Sequence, residues 1–134
     1  MNKAILVIVL LLASTSFAVD DIGIAVRLKT MSSTAIEESA QQQLDGRYDL
    51  GLYAYNHNQL GDAWILLRWV VDESDRYPVA YFVLGKLCIK AEEYGQARQY
   101  FLLAIAGAEK GYYRNPEKLI DNANKMLQRI KDKP

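Results

Sequence analysis

The sequence predicts an all-α fold: a short α-solenoid of two helical hairpins, with one helix before them and a capping helix after them. Three observations predict it. First, LGLYAYNHNQLGDAWILLRWV begins at Leu50 and LGKLCIKAEEYGQARQYFLLA begins at Leu84. At a gapless offset of 34 residues, Leu50 meets Leu84, Gly51 meets Gly85, Gly61 meets Gly95 and Ala63 meets Ala97. Leu67 then meets Phe101, and Val70 meets Ala104. A fixed period of about that length marks stacked helix-turn-helix units. Second, the C-terminal segment places Leu119, Ile120, Ala123, Met126, Leu127 and Ile130 on one helical stripe. Third, 134 residues, half of them hydrophobic, support one core and leave little room for a second domain.

In chain order, residues 1–18 have the form of a secretory signal peptide. Lys3 precedes an apolar run from Ala4 to Ala13, and Ser16-Phe17-Ala18 is a small-x-small cleavage site. The run is shorter than the roughly 20 apolar residues that span a bilayer, so cleavage after Ala18 is favoured over a retained anchor. The expected product is exported, periplasmic if bacterial and otherwise secreted, with no stable membrane insertion after cleavage.

Residues 19–33 show no helical period. Ile22, Ile24, Val26 and Leu28 alternate, which predicts an extended arm, lying on the helical body or offered as an edge strand. Thr34-Ala35-Ile36-Glu37 has the spacing of a capping box and predicts a helix start. The helical domain is therefore expected over 34–134. Its repeats fall at about 44–77 and 78–111, and its capping helix at about 116–131.

Within the first repeat, helix A is expected over 44–57 and helix B over 59–72, joined by a short polar turn at His57-Asn58. Helix B is apolar nearly all round, which predicts burial or a cover. Trp64 and Trp69 are candidate contacts with a second subunit, the alternative being burial between the neighbouring helices. In the second repeat, helix A is expected over 78–91, with Pro78 in its first turn, and helix B over 94–108. Asn115-Pro116 supplies an N-cap and an N1 proline for the last helix.

The repeat resembles a tetratricopeptide repeat. That family places Leu-Gly in its first helix, a small residue twelve positions after the Gly, a bulky apolar residue four later and a small one three after that. Gly51, Ala63, Leu67 and Val70 fit, as do Gly85, Ala97, Phe101 and Ala104. The glycines and alanines let paired helices approach, and Leu67 and Phe101 fill the space between them. The aromatic usual near the start of helix A is Arg47 in the first unit and Tyr81 in the second. The usual closing Pro is Asp75 and Glu109. The related Sel1-type repeat sets the Ala further from the Gly and fits less well.

The resemblance implies a groove lined by helix A. The groove residues carried over by position are Tyr48, Leu52, Tyr55 and Asn56 from the first repeat, and Phe82, Lys86, Ile89 and Lys90 from the second. Such a groove would hold an extended peptide or a partner helix. The competing expectation is that Tyr48, Leu52 and Phe82 merely pack beneath the N-terminal segment. The repeats that clamp chaperone C-terminal carboxylates carry Lys and Asn where this chain has Tyr48, Leu52 and Val83, so that ligand is not expected.

Chemistry is sparse. One His and one Cys cannot make a local nucleophile–base pair or a metal site, and no phosphate-binding loop is present. Cys88 falls at an apolar position of helix A and is expected in the core. No cofactor and no enzymatic activity are expected; the least favoured alternative is a small envelope hydrolase using carboxylates from different helices. Sixteen basic residues balance sixteen acidic ones, which argues against nucleic acid as partner. The expected function is an exported protein–protein adaptor or scaffold, plausible within a cell-envelope assembly. Self-association is the alternative.

Overall fold

The structure, a computed structural model, describes residues 19–134, with side chains from Glu38 onward. The leader expected at residues 1–18 lies outside the described residues. Among the described residues there are five helices and no strand: α1 (Val19–Asn56), α2 (Leu60–Glu73), α3 (Pro78–Lys90), α4 (Tyr94–Glu109) and α5 (Pro116–Ile130). The fold is all-α and built of helical hairpins. The chain divides into two units, Met1–Gln43 and Leu44–Pro134. The second unit carries both hairpins and α5.

Two expectations about the N-terminal segment are overturned. Residues 19–33 are helical, not extended, and the capping-box residues Thr34 to Glu37 lie inside α1 instead of opening a helix. The alternation of Ile22, Ile24, Val26 and Leu28 spans only seven residues and, among the described residues, has no strand to pair with. No proline interrupts 19–56, and extending a helix gains one hydrogen bond for each residue fixed. Gly46 is absorbed into the same helix without ending it.

The hairpins repeat in backbone as well as in sequence. α1 ends with Asn58 at φ 59° and α3 ends with Glu92 at φ 60°, both left-handed. The Gln59 amide donates to the Ala54 carbonyl at 2.8 Å, and the Glu93 amide donates to the Cys88 carbonyl at 2.8 Å. These are the six-to-one bonds of a Schellman ending, which satisfy carbonyls the helix leaves open. α4 ends the same way, with Gly111 at φ 84° and the Tyr112 amide on the Gly107 carbonyl at 3.2 Å. At the other ends, Pro78 and Pro116 each occupy the first turn, where a missing N–H costs nothing. Asn115 sits at the N-cap of α5, but its side chain makes no capping bond.

The core is where the matched residues of the two repeats meet. Ala63, Leu67, Val70, Ala97, Phe101 and Ala104 are all fully buried. A Cβ on Gly51 would stand 2.6 Å from Leu67 Cδ2, and one on Gly85 would stand 2.7 Å from Phe101 Cε1. The paired glycines are therefore what lets each second helix lie against its first. Gly107 performs the same service between α4 and α3, where a Cβ would meet Pro78 Cβ at 2.9 Å. α5 then buries Leu119, Ala123 and Ile130 and keeps Lys118, Asp121, Lys125 and Arg129 outward. The Arg98 guanidinium on α4 ties down its end by donating to the Ile130 carbonyl at 3.0 Å.

Candidate functional site

The sequence-expected groove residues lie on the first helix of each hairpin. Tyr48, Leu52, Tyr55 and Asn56 stand on α1, and Phe82, Lys86, Ile89 and Lys90 stand on α3, with the same spacing. Residues three and four apart share a helix face. Leu67 of α2 and Phe101 of α4 press on α1 and α3 at Gly51 and Gly85, one residue before Leu52 and Lys86. Tyr48, Leu52, Tyr55, Phe82 and Ile89 are half-buried and pack against the core, Lys86 is half-buried, and Asn56 and Lys90 are exposed.

Three of the eight converge across the two helices. The Lys86 ammonium lies 5.2 Å from the centre of the Tyr55 ring and 5.6 Å from that of Phe82. Both distances are within reach of attraction between a cation and an aromatic face. Phe82 is held edge-on to the buried Phe101 at 5.6 Å, so the same ring that fills the second hairpin also fixes one wall of this cluster. Leu52 and Ile89 add apolar surface without a polar contact. Asn56 and Lys90 flank the cluster.

Tyr48 belongs to a second cluster, two turns before Tyr55 on α1 and beside the start of α3. Its ring packs on Tyr77 at 4.8 Å between centres, tilted by 45°. The Tyr77 hydroxyl donates to the Asp45 carboxylate. Burial, followed by the neighbouring Tyr113 and Asp49, pushes the Tyr48 phenol up to about 12. Sequence reasoning missed Asp45, Tyr77 and Tyr113. Tyr77 precedes Pro78 in the joint between hairpins, and Tyr113 lies between α4 and α5; joints have no periodicity that would have pointed to them.

The two tryptophans are engaged within the chain. Trp64 meets Tyr100 edge-on at 6.2 Å, and the Arg68 guanidinium lies 5.6 Å over its ring while donating to the Tyr100 hydroxyl at 3.0 Å. Trp69 lies under Arg47, whose guanidinium carbon is 3.4 Å from the ring centre. Both indoles remain half-buried. The most exposed large apolar residue of α2 is Ile65, at 67%.

Trp64, Leu60, Leu87, Cys88 and Gln96 line a cleft of about 380 Å³ at the joint of α2, α3 and α4. Cys88 is buried as expected. Its thiol is pushed up by burial and then by Glu93, partly offset by Arg68, so it is held as thiol rather than thiolate. His57 is exposed, stacks on Tyr53 at 3.9 Å and faces the Tyr53 carbonyl with Nδ1 at 2.8 Å. Among the described residues, no three His, Cys, Asp or Glu side chains come together as a metal site, and no helix is long and apolar enough to cross a membrane. Comparison with family models, with curated proteins and with solved structures finds no match.

Proposed function

We propose that this chain is an exported protein–protein adaptor or scaffold of a cell-envelope assembly. In this reading its two hairpins are tetratricopeptide-like, stack as a short solenoid, and bind a peptide or partner helix across the first helices of the repeats. Export rests on the leader pattern of residues 1–18. Binding is supported above all by one observation: the half-buried Lys86 ammonium spans Tyr55 and Phe82 across two helices. That cluster gives a partner apolar surface and a directed charge in one place, the combination that interface cores and rims provide. Affinity capture from envelope extract should recover a partner with the wild-type chain. Capture should drop at least several-fold with Tyr55→Ala combined with Lys86→Glu, while the melting curve keeps its shape. Undiminished capture by that double variant would count against the groove.

A second reading is a self-associating scaffold. It is favoured by the outer face of the first hairpin, where Leu50 (58%), Tyr53 (58%) and Ile65 (67%) are exposed. Contiguous apolar surface of this kind marks interaction sites on soluble proteins. Light scattering at two concentrations separates the readings, since a strict monomer removes this one.

A further inference from the structure

The binding face is positive at its Lys86–Lys90 end and carries its acids, Asp45 and Asp49, at the Tyr48 end. From Leu52 onward its α1 and α3 stripes hold Leu52, Tyr55, Asn56, Phe82, Lys86, Ile89 and Lys90, two lysines with no carboxylate among them. Glu93 lines the α2–α3–α4 cleft together with Lys90. Lys86 and Lys90 stand one turn apart on α3 and project from the same side. The ion pairs among the described residues are Arg68–Asp72, Lys110–Asp75 and Lys125–Asp121, so neither lysine is paired with an acid there. Glu92 and Glu93 follow Lys90 in the turn, yet neither lies within ion-pair distance of it. Lys86 rests on two aromatic rings that take the place of part of its water shell. A charge beside low-dielectric walls acts on an incoming ion more strongly than one in bulk water. The carboxylates nearest the face in sequence are Glu92 and Glu93, just beyond Lys90, and Asp49, one residue after Tyr48 and two turns of α1 before Asn56.

Resting on the adaptor reading above, we propose that the partner's bound segment is acidic: an Asp or Glu carboxylate engages Lys86 and Lys90, and an adjacent apolar side chain lies against Tyr55, Phe82 and Ile89. Asn56, exposed at the end of α1, is placed to hydrogen-bond the segment's backbone. Charge complementarity selects this occupant. A basic segment would bring like charge onto Lys86 and Lys90, and a neutral one would leave both ammonium groups without a partner while covering them. A bound carboxylate instead gains a charge-assisted hydrogen bond from each lysine.

The test uses three fluorescein-labelled twelve-residue peptides, capped at both ends. Each carries two Phe at fixed positions and four Glu, four Gln or four Lys between and around them. Fluorescence anisotropy with the full chain at low salt should show the Glu peptide binding at least tenfold tighter than the Gln peptide. The Lys peptide should be weakest. The preference should shrink severalfold as salt rises to half molar, where the Debye length is only about 4 Å. Lys86→Gln with Lys90→Gln should abolish the preference while a cooperative melting transition is kept, lowered only by the loss of the Lys86 contacts with Tyr55 and Phe82, and each single substitution should reduce the preference. Asp49→Asn, in the Tyr48 cluster, should leave the preference in place. Failure of the Glu peptide to bind, or a preference that survives the double lysine variant, overturns the proposal. If all three peptides bind alike and all are lost with Tyr55→Ala, the acidic preference is overturned while the groove itself stands.

Discussion

At the scale of single residues, two glycines in the same repeat obey opposite rules. A methyl group on Gly85 would meet three atoms of the Phe101 ring at 2.7 to 3.0 Å, and that ring is fully buried and braced by Phe82. Gly95, in the first turn of α4, has nothing within 4 Å. Replacing a helical glycine by alanine gains about 1 kcal/mol of propensity, while forcing a methyl into a closed core costs about 1–3 kcal/mol. Gly85→Ala should therefore destabilise by up to about 2 kcal/mol, and Gly95→Ala should stabilise by about 0.5–1 kcal/mol, both read from urea unfolding. The role of Gly85 was legible in the sequence because its counterpart Gly51 sits the same distance from Leu67 as Gly85 does from Phe101. The environment of Tyr48 was not, because Tyr77 and Tyr113 reach it from joints that carry no period. That environment has a measurable consequence. The folded-state Tyr48 phenol is raised to about 12 from its ordinary 10.0 by burial, Tyr113 and Asp49. Below pH 10 it is protonated in both states and its full contribution to stability is present. Between about pH 10 and 12 the unfolded chain releases the proton first, so the folded state binds more protons and stability falls as pH rises. Denaturant midpoints at pH 9 and pH 11 should diverge for the wild type, and Tyr48→Phe should lessen that divergence. Tyr81 and Tyr100, also raised by burial, should supply what remains.

At the scale of elements, the turn inside each hairpin fixes how its helices meet. Asn58 and Glu92 hold the left-handed conformation at matching positions, but they differ in cost. Asn tolerates it, whereas the side chain of Glu carries the steric penalty of about 1–2 kcal/mol with no local hydrogen bond to offset it. Glu92→Gly should raise stability by about 1 kcal/mol, since relief of that strain exceeds the entropy glycine adds to the unfolded chain. Asn58→Gly should change it much less. Equal denaturant midpoints for Glu92→Gly and wild type would show that the turn is not strained. The helix boundaries themselves were readable to within a residue or two, since α2, α4 and α5 are framed by turn residues and prolines. α1 was the exception. Its first part, residues 19–33, lacks an apolar stripe, so the sequence pattern offered no helical signal to set against the alternation of Ile22 to Leu28. What lets it continue as a helix is the absence of proline, and absences are hard to read from pattern alone.

At the scale of the molecule, the repeat supplies its own control for what should be covered. Leu50, Tyr53 and Leu66 in the first hairpin match Leu84, Leu87 and Tyr100 in the second. The second set is buried, at 0%, 6% and 8% exposure, whereas Leu50 and Tyr53 are each 58% exposed. With Ile65 and Leu66, these two line one continuous cleft bordered by Gln59 and Asp62. The other end of the array is different in kind, because α5 turns a charged face outward. A second copy that used this surface would therefore pair first hairpin to first hairpin about a twofold axis, not head to tail, and assembly would stop at two. The self-association reading thus predicts a monomer–dimer equilibrium and no larger species. Light scattering should give a molar mass that climbs from one to two chains with concentration, and Ile65→Glu should hold it at one. Because Ile65 lies on the surface, that substitution should shift unfolding of the monomer by no more than about 0.5 kcal/mol. A mass that stays at one chain across the range would leave the open face to a different protein and return the weight to the Lys86 groove.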